Sequence, residues 1–254
     1  MKLFLAESNG ARLSYINKVH SQLMKRGGVP NYKPYILESF FYTNEKTEKC
    51  LHLHGDYLLD SGAFTFMSKG GVIDCEEYIE RYCDYINRNN IEKFFELDID
   101  SIVGYDRVLK YRDKIESLTG KKCIPVFHRE RGKNEFLRMC RDYPYVAIGG
   151  LAIKDISRKE YKFLKWFIDT SHENGAKIHG LGFTNLEWLK KLRFDSVDST
   201  SWVAGNRFGF LWKFDGKEMK KIEIKDRRLS NADKVAQHNY IEWCKFQMYA
   251  YKHY

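Results

Sequence analysis

Eight short apolar runs alternate with longer amphipathic stretches, and this alternation constrains the fold more than any other feature of the chain. The runs are Leu3–Ala6, Ile36–Phe41, Tyr57–Asp60, Phe94–Leu97, Ile124–Phe127, Tyr145–Ile148, Lys177–Leu181 and Ser196–Asp198. Each is short and apolar, the mark of a buried strand. Between most of them, helical periodicity predicts helices over Ala11–Lys25, Cys75–Arg88, Tyr105–Leu118, Asn134–Arg141, Ser157–Asn174 and Leu186–Leu192. The connection from Phe41 to Tyr57 is too polar and too short to be read as a helix. Ser157 and Glu160 read as a capping box, and Thr184 reads as an N-cap with Glu187 at N3. The alternation predicts an α/β fold, a single (β/α)8 TIM-type barrel over residues 1–214 closed by right-handed crossovers. A doubly wound open sheet is the competing architecture. Residues 215–254 read as a C-terminal extension packed on the barrel, basic from Lys217 to Arg228 and ending in an aromatic helix from Ala232 to Tyr251.

At 254 residues, with 43% hydrophobic and 15% aromatic content, the chain is long enough and apolar enough to bury a core. Its formal charge of +9 points to an anionic partner, nucleic acid first, against the plainer reading of a solvated lysine-rich surface. The six cysteines have no CxxC spacing, which argues against a zinc knuckle and a disulfide scaffold. There is no signal-type apolar block and no 18-residue apolar run, so the sequence reads as soluble and cytoplasmic, with no membrane partner.

The functional signal lies where the predicted strands end. Asp60 ends the third, Asp98 and Asp100 follow the fourth, and His128 follows the fifth. Gly149-Gly150 ends the sixth, His179, Gly180 and Gly182 lie at the seventh, and Asp198 ends the eighth. In a barrel all of these meet at the C-terminal face, where active sites of this fold are built. Asp98 and Asp100 alternate with apolar neighbours, so as strand residues only one of them faces inward. Asp60 also reads as a cap of the Ser-Gly turn, and His128 equally as a pocket ligand or a satisfied interior histidine. His179 reads as a pocket residue without metal-ligand partners, and Trp202 equally as core packing or as a stacking platform.

The ordered set Asp60-Ser-Gly-Ala-Phe64, Phe95-Glu-Leu-Asp98, Ile148-Gly-Gly-Leu-Ala152, His179-Gly-Leu-Gly182 and Val197-Asp198 resembles the tRNA-guanine transglycosylase superfamily. Its DNA-acting branch, the phage and bacterial DpdA proteins that place 7-deazaguanines in DNA, is the more similar. Ser196 to Trp202 and Gly205 to Gly209 carry that likeness most specifically. The resemblance implies Asp198 as nucleophile at C1′, Asp60 as acid/base and Asp98 as the reader of the guanine edge. Gly149, Gly150 and Leu151 match the backbone segment lining the family's base pocket, and Ser61, Gly62, Phe64, His128, His179, Gly180 and Trp202 are further candidates about the base. Arg207, Arg227 and Arg228 are candidates for phosphate contacts.

The implied reaction exchanges guanine in DNA for a free, preQ0-type 7-deazaguanine base through a covalent aspartyl intermediate, with no metal or redox cofactor. The Cys-rich zinc subdomain of the tRNA enzymes has no counterpart here, and Val126-Phe-His128-Arg-Glu130 stands where they carry a glutamine motif. Base exchange in tRNA is therefore the alternative. A nucleic-acid-binding barrel without catalysis and a small-molecule hydrolase are the readings outside this class. A homodimer and accessory modification proteins are compatible partners, and the Lys/Asn/Ile-rich composition suits an AT-rich phage genome acting in the host cytoplasm.

Overall fold

The computed structural model describes residues 1–7, 16, 19–63, 65, 74–151, 155–223 and 232–254. Seven parallel strands form one sheet: β1 (Lys2–Glu7), β2 (Tyr35–Ser39), β3 (Asp56–Asp60), β4 (Val126–Phe127), β5 (Tyr145–Ile148), β6 (Lys177–Gly180) and β7 (Ser196–Ser199). Their order is β3-β2-β1-β7-β6-β5-β4, and Phe94 and Phe95 link the two outer strands. Phe95 N donates to Leu59 O at 2.9 Å, and Ile124 N donates to Phe94 O at 2.8 Å. The fourth predicted strand is thus reduced to a two-residue bridge that curls the sheet into a TIM-like barrel.

Alternation places one side chain of each pair on the axis and the next under the helices. Phe95 joins Phe4, Leu58, Val126 and Ala147 inside the barrel, whereas Phe94 packs with Ile79, Tyr82 and Ile115 on the helix side. Below this apolar layer Asp56 binds Lys2 and Lys93, each at 2.5 Å, an ion triad from β1, β3 and the chain just before the bridge.

Several elements differ from the sequence reading. The strand from Ile36 gives way at Phe40 to a 3-10 turn, and a short helix, Glu45–Glu48, occupies the connection judged too polar for one. Asn44 makes that helix viable by accepting from Lys46 N at 2.9 Å. Ser157 and Glu160 do form a capping box, but it opens a 3-10 segment, Arg158–Phe163, before the α-helix Leu164–Glu173. The cap expected at Thr184 belongs to Asn185, whose carbonyl accepts from Trp188 N. Of the helix expected over Ala11–Lys25, His20–Arg26 is seen, and residues 8–15, 17 and 18 lie outside the described residues.

After the barrel, β8 (Phe210–Phe214) and β9 (Met219–Glu223) pair as an antiparallel hairpin, so the boundary expected at residue 214 falls at its turn. The helix Ala232–His253 packs on this hairpin and on β1. Its buried Gln247 donates to Leu3 O at 2.6 Å and to Tyr35 O at 2.7 Å, satisfying carbonyls where β1 and β2 diverge. Among the described residues no helix is long and apolar enough to cross a membrane.

Glu96, fully buried beside the bridge, accepts from Arg112 Nε at 2.6 Å, Arg131 NH1 at 2.7 Å and Val126 N at 2.7 Å. Removing one member of such a cluster strands the others without solvation. Glu96→Ala should lower the unfolding free energy by about 3–5 kcal/mol in denaturant titration. A loss below about 1 kcal/mol would mean that the bridge closes without this carboxylate.

Candidate active site

The C-terminal ends of the strands surround a cavity of about 640 Å³. Asp60 from β3, Asp98 beyond the bridge, His128 after β4, Gly150 after β5 and Leu181 after β6 all line it. Consecutive strand ends therefore converge, as the ring predicts. Asp198, at the end of β7, lies just behind this wall with its side chain 8% exposed. Its Oδ1 accepts from Gly182 N at 2.5 Å and lies 3.2 Å from His179 Nε2, while Oδ2 has no hydrogen bond among the described residues.

Asp60 feels both other acids. Burial, then the charge of Asp98 and to a smaller degree that of Asp198, raises its pKa to about 7. The turn beyond it is built for close quarters. Gly62 N donates to Asp60 Oδ2 at 3.1 Å from a backbone at φ +68°, and a Cβ there would lie 2.6 Å from Ser39 Oγ. Glycine satisfies both demands. The carboxyl group thus cycles between acid and base near neutrality, which suits proton transfer.

Asp98 Oδ2 lies 3.3 Å from His128 Nε2. Burial opposes a charge on His128, but Asp98 outweighs it and holds the imidazole pKa above its ordinary value. The His128 ring stands against Gly149, where a Cβ would come within 2.5 Å of Cε1. Asp100 lines the cavity as well as Asp98. The strand alternation that excluded one of them does not apply, because Asp100 begins a helical turn, Asp100–Val103. Arg131 grips it with two 2.7 Å hydrogen bonds and stacks 4.3 Å from the Tyr105 ring centroid.

Behind Asp198 a line of polar side chains runs into the barrel. His179 Nδ1 is 2.5 Å from Ser196 Oγ, which also hydrogen-bonds Tyr145 Oη. A neutral imidazole with its proton on Nε2 satisfies every member: Tyr145 donates to Ser196, Ser196 to His179, and His179 to Asp198. His179 therefore orients the carboxylate instead of meeting a ligand.

Other expected site residues lie elsewhere. Ser61 is fully buried, and its carbonyl accepts from Tyr78 Oη at 2.5 Å. Gly180 faces outward, toward Phe183 and Phe194, because its neighbour His179 takes the inward position. Trp202 is completely buried, donating from Nε1 to Ala6 O at 2.8 Å with its ring edge-on to Tyr240, so it packs the core and is no stacking platform. Leu151 lines a neighbouring cavity. Phe64, Arg227 and Arg228 lie outside the described residues; Arg207 falls in the helix Ser201–Phe208, with its side chain outside them. The sequence reading missed Tyr105, Arg131 and Asp155 on the wall. The Arg129-Glu-Arg131 run after β4 was the available signal for one of them.

No protein-family model and no curated protein matches this chain. Solved structures share its fold. A fructose-1,6-biphosphate aldolase structure from Coccidioides immitis aligns with TM-score 0.57 and 11% identity over 99% of this chain and 89% of that one. QR15, an aldolase, aligns with TM-score 0.49 and 12% identity over 79% and 89%. The carboxyl transferase domain of Rhizobium etli pyruvate carboxylase aligns with TM-score 0.49 and 11% identity over 98% of this chain and 48% of that one. At 11% identity the likeness to the Coccidioides immitis structure speaks to the barrel and not to the chemistry.

The raised Asp60 pKa has a thermodynamic consequence. Between about pH 4 and 7 the folded chain holds a proton that the unfolded chain has released, so this stability is complete at low pH and lost as pH rises through about 7. Asp60→Asn, which cannot ionise, should be more stable than wild type at pH 8 by up to a few kcal/mol. The gap should close toward pH 4 in calorimetric scans; a pH-independent gap would mean that Asp60 titrates normally.

Proposed function

We propose that this protein is a DNA-guanine transglycosylase that exchanges guanine for a 7-deazaguanine base. The observation that carries the reading is the meeting of Asp60 and Asp98 in the mouth cavity with Asp198 close behind its wall, Asp60 being raised to about 7 by burial and the charges of the other two acids. A carboxyl group raised toward neutrality can carry a proton, while a neighbouring carboxylate acts as nucleophile or stabiliser. The ordered motifs around the same residues support the same assignment.

In this mechanism Asp198 Oδ2, turned away from the hydrogen bonds on Oδ1, attacks C1′ of a guanosine extruded from the duplex. The bond from C1′ to guanine N9 breaks, and the base leaves with the Asp60 proton. The ionised Asp60 then takes the N9 proton of the incoming base. N9 attacks C1′, and the ester bond to Asp198 breaks. Asp98 has one oxygen on His128 and accepts from the guanine N–H edge through the other.

Protein incubated with DNA or tRNA and a labelled 7-deazaguanine should place the label in DNA, read by nucleoside mass spectrometry. Label in tRNA alone would move the activity to the tRNA reaction. Label in neither would withdraw the reading. Asp198→Asn should reduce exchange by on the order of 10³-fold or more while leaving DNA affinity within a few-fold. Asp98→Ala should erode selection for guanine-type bases more than DNA binding; unchanged discrimination would remove Asp98 from base reading.

A further inference from the structure

Asp198 stands at a partition. Behind the wall of the first cavity lies a second, of about 460 Å³, lined by Leu151, Ser157, Arg158, Gly182, Thr184 and Asn185 among others. Two chain segments form the divide. Gly150 and Leu181 line the first cavity, and their successors Leu151 and Gly182 line the second. The partition touches the carboxylate itself, because Gly182 N donates to Asp198 Oδ1 at 2.5 Å.

The two cavities differ in charge. Asp60, Asp98, Asp100, Glu130 and Asp155 line the first, against His128 and Arg131, and Arg131 is already engaged by Glu96 and Asp100. A phosphodiester entering there would meet more carboxylates than cations. The second cavity carries Arg158 and no carboxylate among its described lining residues. Arg158 is exposed and makes no ion pair with a described residue, and it acts on Glu187 only through its charge. The Thr184 hydroxyl and the Asn185 amide nitrogen add hydrogen-bonding groups of the kind that meet a sugar-phosphate backbone, whereas Ser157 Oγ is engaged by Glu160 and the Asn185 side-chain oxygen by Trp188 N.

We propose that the second cavity is a phosphodiester subsite, holding the backbone beside the extruded nucleotide with Arg158 on its phosphate. The inference rests on the transglycosylase reading. The glycosidic bond is the one covalent link between base and sugar. A nucleophile attacking C1′ therefore has the base on one side and the backbone on the other. The partition at Asp198 offers an acidic compartment for the donor-rich base and a cationic one for the anionic strand.

Fluorescence anisotropy of a labelled single-stranded DNA oligonucleotide containing one guanine, titrated with salt, tests the subsite. Arg158→Ala should weaken binding roughly tenfold, as loss of one charge-assisted contact does. It should also flatten the log–log salt slope by about 0.7, the share of one phosphate on a single strand. Arg158→Lys should keep the slope, and calorimetric binding of free guanine should be the same in all three proteins. Unchanged affinity and slope in Arg158→Ala would overturn the subsite. So would inorganic phosphate binding at Arg158 while the oligonucleotide is held equally well without it. A wild-type protein that binds guanine but no oligonucleotide would instead take down the nucleic-acid reading beneath it.

Discussion

Glu96 is fully buried, and one side of the barrel mouth is organised around that carboxylate. Its two oxygens take Arg112, Arg131 and the Val126 amide. The last of these ties the residue after the Phe94–Phe95 bridge to β4, where main-chain pairing is shortest. Arg131, held in place from behind, spends its remaining donors on Asp100 and its flat face on Tyr105. A buried charge that must be matched therefore fixes the ring closure and the shape of the cavity wall together.

The same economy governs the opposite side. Asp198 is held through Oδ1 by a backbone amide and by His179, whose own orientation is set by Ser196 and Tyr145 deeper in the barrel. Each group in that line lies where strand alternation turns it inward. Asp60 accepts from Gly62 N and has two acids near it, and burial with those charges raises its pKa to about 7.

Most of the ring was legible because buried parallel strands leave short apolar runs, and each of the eight expected runs contributes to it. Counting strand ends anticipated Asp60, Asp98, His128 and Gly150 at the mouth, whereas at the seventh strand end it is Leu181, not the expected His179, Gly180 or Gly182, that lines the cavity. What escaped was side-chain direction. Gly180 and Ser61 sit beside inward-facing residues and so point away, and motif proximity could not show it. Trp202 follows Asp198 by four positions, but a helix carries it under the C-terminal helix, where its indole finds the Ala6 carbonyl. The Glu96 cluster was hidden for another reason. Its members come from a bridge, a helix and a loop far apart in sequence, and only closure makes them neighbours.

A chain of formal charge +9 with an acidic cavity at its mouth looks contradictory until distance is considered. Net charge acts over a Debye length, about 8 Å at physiological salt, and draws a polyanion to the surface without choosing where it docks. Inside the mouth the contacts are shorter, water is scarce and individual carboxylates dominate. In the proposed transglycosylase the long-range field would gather the polymer and the short-range field would sort its parts. Donor-bearing bases would be drawn toward Asp98 and Asp60, and phosphates toward the cavity on which Arg158 stands. On this view the acidic mouth is what makes a basic protein discriminating, because an all-basic cavity would hold the backbone where the base has to go.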